Sequence, residues 1–483
     1  MPDHPENVLP SQEALQYARS TLLTSLQSKG IGFEQTQHHL ENDIVPALNG
    51  NSKSSRYYGF VTGGSLPIAT FADKLAVEED QNVQVHLPNE TVATNVEDAA
   101  LRLLCELVEF NAEEWPHRTF TTGATASNII GLACGREYIV AEAARRRGTE
   151  ASISRDGLLA ATQQAGLRNI QILTTTPHSS LRKAASILGL GHCSVVDVSD
   201  PSATHRFSHD ALKKALATTH TASIIAISAA EVNTGFFATT GLEELTAIRS
   251  LADSHGAWIH VDAAFGLQAR ILPSSDPQYE LIRSGVEGLE LADSITGDGH
   301  KMLNVPYDCG FIFSKDISLA QQVFQNPNAA YLNAPAADGP VIPSPLNIGL
   351  ENSRRFRALP VYASLVAHGK AGYVDILTRQ IELARAIASH IAQSTDLELL
   401  PLDSESSLEE RLTRVYMIVI FRAKNAELNA ELVKQINGSR KIYVSGTQWQ
   451  GKPAARFAIA NWGVDVERDL MVAKEVLENV SKA

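Results

Sequence analysis

Between Val96 and Asn347, short apolar runs alternate with stretches of helical periodicity. The runs are NIQILTT (169–175), CSVVDV (193–198), ASIIAISA (222–229), AWIHVDAA (257–264) and CGFIFS (309–314). Apolar runs of this length, rich in β-formers and separated by helices, predict strands of a largely parallel sheet buried on both faces. Upstream, the pattern is helical from Glu13 to about Leu48. RYYGFVTGGSLPIATFADKLA (56–76) then predicts a loop at its paired glycines, followed by another helix. Past the Pro-punctuated segment NAPAADGPVIPSPLN (333–347) the strict alternation stops. A helix over about 354–394 precedes the runs RVYMIVIFRA (414–423) and ARFAIAN (455–461). The expected fold is α/β: a large domain with a mostly parallel sheet and a smaller C-terminal α+β domain. The expected boundaries are 1–90 for an N-terminal helical segment, 91–347 for the large domain and 348–483 for the small one.

Composition narrows the class of function. The 483 residues carry a net charge of −13, with 44% hydrophobic and 20% charged residues. Such an acidic chain is a poor general ligand for nucleic acid or anionic membrane, both of which reward basic patches. The four cysteines (Cys105, Cys134, Cys193 and Cys309) are far apart and lack zinc-ligand spacing, so buried thiols are expected and no metal site. The N-terminal residues MPDHPENVLPSQEAL have no basic and apolar signal pattern, and no segment reaches the ~20 apolar residues of a membrane span. A cytoplasmic protein is expected.

Candidate chemistry lies at the predicted strand ends, where open α/β sheets bind ligands. In SITGDGHKMLNVPYDCGFIF (294–313), Lys301 follows His300 at the end of a short polar turn, before the next apolar run. A solvated lysine is one reading; a covalent anchor for a carbonyl cofactor, through a Schiff base, is the other. Asp262 ends the run AWIHVDAA, where a carboxylate is costly unless paired, and suits either a turn cap or a partner for a protonated ring nitrogen. Ala264, two residues on, leaves room for a ring. His178 stands at the N-terminal edge of a helix after NIQILTT, in reach of a proton or a ring face. Thr125, Ala126 and Ser127 open a helix after Gly123, and that junction favours an anion. His300 is expected beside the same anion. Each feature alone has an ordinary structural explanation. Their order along the chain assembles one pocket.

At these residues the sequence resembles the pyridoxal-phosphate-dependent group II decarboxylases, the family of aromatic L-amino acid decarboxylase and glutamate decarboxylase. HVDAAFG and DGHKMLNVPYDCG carry the likeness most specifically, and it runs from about Arg56 to about Tyr373. The resemblance implies the fold type I architecture of these enzymes and a homodimer with interface active sites, in which residues 1–90 serve dimerisation. It implies pyridoxal 5'-phosphate as cofactor, with Lys301 as its anchor and Asp262 at the ring nitrogen. His178 would stack on the ring, and Thr125, Ala126, Ser127 and His300 would lie at the phosphate. Thr62 would border the substrate carboxylate, and Phe60 would form an aromatic wall. Tyr331 would return a proton to the substrate carbon. Relatives that instead yield aldehydes tend to carry phenylalanine there, so Tyr331 favours simple decarboxylation.

The chain also departs from the family. Glu231 and Val232 stand where many relatives have threonines, Met302 replaces a tryptophan, and the loop after Tyr331 is rich in Pro and Ala. The expected function is decarboxylation of an L-amino acid to its amine. Tyr57, Tyr58 and Phe60 admit an aromatic substrate. The rivals are an oxidative aldehyde synthase or transamination-type enzyme on the same scaffold, and a catalytically silent dimeric scaffold.

Overall fold

The computed structural model describes residues 6–326, 342–402 and 406–482. The chain packs into two compact units, and these do not follow sequence order. The larger comprises Ser65–Thr378 and Thr413–Tyr416; the smaller comprises Met1–Gly64, Arg379–Leu412 and Met417–Ala483.

Among the described residues, the larger unit holds a seven-stranded sheet. Its order is His117–Thr121, Gly310–Ser314, Ser294–Asp298, Trp258–Asp262, Thr221–Ser228, Asn169–Thr174 and Val195–Asp197. The neighbours from Ser294–Asp298 to Val195–Asp197 are parallel, and Gly310–Ser314 is antiparallel to both of its neighbours. The five expected apolar runs are all strands of this sheet. Ser294–Asp298 is a correction. Its Ser, Thr, Gly and Asp residues read as a polar turn, yet all four, with Ile295, are buried in a strand between two others. Two of its three polar side chains find partners: Ser294 Oγ accepts from Trp258 Nε1 at 2.9 Å, and Asp298 is paired as described below.

The helix Ala124–Arg146 lies against this sheet. A Cβ on Gly131 would come within 2.4 Å of His260, and one on Gly135 within 2.7 Å of Trp258, so the two glycines set the close approach. The parallel strands end at Thr174, Asp197, Ser228, Asp262 and Asp298. Three carboxylates thereby reach the same edge of the sheet, with Asp262 and Asp298 on adjacent strands and Asp262 in register with Thr296.

The smaller unit carries, among the described residues, a five-stranded sheet ordered Tyr57–Tyr58, Tyr443–Trp449, Lys452–Ala458, Ile418–Ala423 and Leu397–Leu400. Tyr57 stacks on Tyr443 with ring centroids 4.7 Å apart, and Tyr58 packs on Phe457 at 5.1 Å. The stretch expected to be helical from Glu13 to Leu48 is interrupted: Gln12–Thr21 and Phe33–His39 are separate helices. Three cysteines are buried as expected, whereas Cys193 is exposed.

Burial also sets how stability responds to acid. His117 is fully buried, its imidazole bonded to the Ile348 carbonyl at 2.9 Å, and desolvation pushes its pKa down to about 4. Burial likewise pushes His260 down, against the opposing pull of Asp262. An unfolded histidine titrates near ~6.5. Both residues therefore gain a proton on unfolding at pH values below that figure. Their stabilising contribution is whole above pH ~6.5 and is lost as the pH falls toward 4. Urea unfolding between pH 7 and 5 is expected to show stability falling by up to about 1.4 kcal/mol per pH unit for each. A His117→Gln variant should lose one such share of the slope, and an unchanged slope would contradict the assignment.

Candidate active site

Lys301 lies in the short helix Gly299–Met302, which begins where the buried strand Ser294–Asp298 ends. Its Nζ sits 2.9 Å from Asp298 Oδ2. Asp298 is 3% exposed, and its other oxygen accepts from the Ala124 N–H at 2.6 Å. One carboxylate thus joins the lysine to the start of the helix Ala124–Arg146. His300 Nε2 is 3.6 Å from the same carboxylate, while His300 Nδ1 accepts from the Cys309 N–H at 3.3 Å. That backbone donor places the imidazole proton on Nε2, toward Asp298. Burial pushes the His300 pKa down although Asp298 opposes it, so the ring is neutral at pH 7. The ring lies 4.7 Å from that of Tyr307, centroid to centroid.

The helix start leaves space and backbone donors open. Gly123 adopts φ +155°, and a Cβ there would sit 3.3 Å from His300 Cε1 and 3.5 Å from Asp298 Oδ1. Glycine keeps this cradle open. Thr125 and Ala126 lie in the first turn, where helical N–H groups lack intrahelical partners. The Gly123 N–H is taken by Thr121 Oγ1 at 3.2 Å and that of Ala124 by Asp298, which leaves Thr125 and Ala126 to offer theirs. Ser127 differs from the other two. Its hydroxyl is buried and bonded to Thr121 Oγ1 at 2.7 Å.

Asp262, at the end of its strand, accepts from Asn128 Nδ2 at 2.9 Å and from the Ala264 N–H at 3.2 Å. Ala264 in turn accepts from the Asp298 N–H at 3.3 Å, which ties the two strand ends together. His178 is the N-cap of the helix Ser179–Ile187 and bonds to Ser180 Oγ at 2.7 Å. Ser180 Oγ lies 3.2 Å from Asn128 Nδ2. Asp298 therefore joins Lys301 to the helix start, with His300 3.6 Å away, and hydrogen bonds connect Asp262 and His178 as a second group.

Two expected substrate residues belong to the smaller unit. Phe60 is exposed at φ 60°, and Thr62 Oγ1 donates to Asn51 Oδ1 at 2.8 Å. Tyr57 and Tyr58 are buried in that unit's sheet, so Phe60 is the exposed aromatic of the three. Tyr331 lies outside the described residues. Glu231 is 7% exposed and closes its own turn, accepting from the N–H groups of Asn233 and Thr234 at 2.8 and 2.9 Å and from the Thr234 hydroxyl at 2.9 Å.

Sequence reading missed Asp298, Asn128, Ser180 and His260. Signals for two of them were present. Asn128 is a buried asparagine inside a helix, a place where its side chain competes with the backbone, and His260 interrupts an apolar run two residues before Asp262.

Pyridoxal phosphate suits these groups: an amine for its aldehyde, a carboxylate for its ring nitrogen, a cradle and free N–H groups for its phosphate. Thr296 Oγ1, buried beside Asp262 in the ladder, has no protein partner among the described residues and could serve a bound ring.

Comparison with known proteins agrees. Residues 17–413 match the family model for the pyridoxal-dependent decarboxylase conserved domain. L-2,4-diaminobutyrate decarboxylase of Acinetobacter baumannii is 30% identical over 284 residues, covering 58% of this chain and 52% of that protein. Phenylacetaldehyde synthase of Arabidopsis thaliana is 27% identical over 318 residues, 63% of this chain and 60% of that one. The chain thus spans about half the length of the first and less than two thirds of the second. The crystal structure of Oryza sativa TDC with PLP and tryptamine superposes with a TM-score of 0.80 at 20% identity, covering 99% of this chain and 93% of that one.

Proposed function

The chain belongs to the pyridoxal-dependent decarboxylase family, and we propose on that footing that it removes CO₂ from an L-amino acid to give the amine. The observation that carries the reading is the Lys301 amine, held by Asp298 beside an anion-binding helix start, with Asp262 on the neighbouring strand end. Bound pyridoxal phosphate supplies an aldehyde to take up the substrate amine and a ring to hold the electron pair left when the carboxylate departs as CO₂.

The protein's own groups would do the rest. The Lys301 amine would hold the cofactor through its aldehyde. The N–H groups of Thr125 and Ala126 bind the phosphate, with the neutral Nε2–H of His300 beside them. Asp262 keeps the ring nitrogen protonated, fixed by Asn128 and the Ala264 N–H. His178 covers one ring face. Tyr331 delivers the proton that takes the place of the carboxylate, so the sum is amino acid plus a proton giving amine plus CO₂.

The exposed Phe60 supports an aromatic side chain in the substrate, and Thr62 is assigned to its carboxylate. Exposed Leu22, Leu23, Leu26 and Phe33 near the N-terminus support a homodimer in which the first 90 residues take part. The large and small domains keep the boundaries 91–347 and 348–483 in this reading, and the compartment is the cytoplasm. A phenylacetaldehyde synthase among the relatives keeps aldehyde formation as the second reading.

A Tyr331→Phe variant separates the two. It is expected to make amine about 10²-fold more slowly and to divert turnover to aldehyde, ammonia and hydrogen peroxide, with O₂ as oxidant. Unchanged amine formation would remove Tyr331 from its assigned role.

A further inference from the structure

Beneath the strand ends runs a hydrogen-bonded chain in which chemistry dictates every direction. Trp258 Nε1–H can only donate, and it donates to Ser294 Oγ at 2.9 Å. The Ser294 hydroxyl proton is then left for His260 Nδ1, 2.8 Å away. From the other end, Asp262 can only accept, so the Asn128 amide turns Nδ2 to it and Oδ1 to His260, which therefore donates from Nε2 at 2.8 Å. The Asn128 amide nitrogen has two protons. One goes to Asp262 Oδ2 at 2.9 Å and the other to Ser180 Oγ at 3.2 Å. Ser180 passes its hydroxyl proton to His178 Nδ1 at 2.7 Å, and its backbone N–H reaches the same nitrogen at 3.2 Å. His178 Nδ1 is therefore an acceptor, and the ring proton sits on Nε2.

Asn128, His260 and Ser294 are fully buried and Ser180 is 4% exposed. At such depth a donor or acceptor left without its partner is expensive, which holds the arrangement in one state. Position 128 has narrow requirements. An aspartate would set a second carboxylate against Asp262. A leucine would strand His260 Nε2–H, Asp262 and Ser180 at once. A reversed amide would point its oxygen at the Asp262 carboxylate.

We propose that Asn128 is a positioning residue that fastens Asp262 and His178 into one hydrogen-bonded unit, so that the two groups assigned to the cofactor ring are oriented together. This rests on the reading above, in which both side chains contact that ring. Asp262 receives one amide proton of Asn128, and His178 is reached through Ser180 by the other.

The test uses the full-length chain and two readouts besides turnover: the dissociation constant for pyridoxal phosphate, and the visible circular dichroism per bound cofactor, which reports how firmly the ring is held. Asn128→Ala is expected to weaken cofactor binding about 10- to 100-fold and Ser180→Ala about 3- to 10-fold, each with reduced dichroism. The double variant should be weaker than N128A by less than the factor S180A shows alone, because the two residues act along one path. Effects that multiply, or single variants with unchanged affinity and dichroism, would overturn the proposal. If N128A does not fold, S180A alone decides, since unchanged readouts there contradict the chain of bonds. A wild-type protein with no Lys301-dependent visible band would instead overturn the cofactor reading beneath it.

Discussion

Replacing Lys301 with alanine is expected to abolish the visible absorbance that the wild-type protein acquires with pyridoxal phosphate, and to lower decarboxylation by at least about 10³-fold. The amine is the proposed covalent attachment point, and among the described residues no other lysine pairs with Asp298 or the helix start. Pyridoxal phosphate should still bind, more weakly, because the Thr125 and Ala126 N–H groups and Gly123 remain. Among the described residues, the loss of Lys301 also leaves Asp298 with the Ala124 N–H and a distant His300 as partners. A buried carboxylate deprived of its cation destabilises a fold, so the unfolding midpoint should fall as well. A variant that keeps the band and the activity would place the anchor elsewhere.

The second large effect is expected at Asp262. Changing it to alanine removes the negative charge assigned to the ring nitrogen, with an expected loss in kcat of about 10²- to 10³-fold. It also leaves the Asn128 amide and the Ala264 N–H without their acceptor. Asp262→Asn separates the two consequences. It keeps an acceptor oxygen for one of these donors while removing the charge. The electrostatic account therefore expects D262N to lose less stability than D262A and still lose about 10²-fold in kcat. Full activity in D262N, measured on the same substrate, would show that charge at this position is not what the reaction uses.

Much of this site was legible in the sequence because its strands are apolar and its chemistry stands at their ends. AWIHVDAA reads as a strand that stops at a carboxylate, and the structure ends the strand Trp258–Asp262 at that residue. The likeness of DGHKMLNVPYDCG to a known family singled out Lys301 as the expected anchor. What stayed hidden was polar structure that is buried and satisfied. Ser294–Asp298 looks like a turn by composition and is a fully buried strand, in which Ser294 is paired by Trp258 and His260, and Asp298 by Ala124 and Lys301. Asn128 and Ser180 gave no sign of their partners, which lie 134 and 52 residues from Asn128 along the chain. Local patterns carry periodicity well and long-range hydrogen bonds poorly. The smaller unit shows the same limit. Tyr57–Tyr58 forms a parallel pair with Tyr443–Trp449, a pairing that no local signal announces.

The distinction between amine and aldehyde bears most on what the protein does. Carboxyl-labelled L-amino acids, aromatic ones among the twenty, would be incubated with the pyridoxal-phosphate-loaded full chain. Released CO₂ would be counted while products are identified by mass spectrometry. The account predicts, for at least one amino acid, CO₂ and the corresponding amine in equal amounts, with Lys301→Ala releasing neither. Aldehyde with ammonia and hydrogen peroxide in place of amine, or no CO₂ from any amino acid by a chain that binds the cofactor, would contradict it.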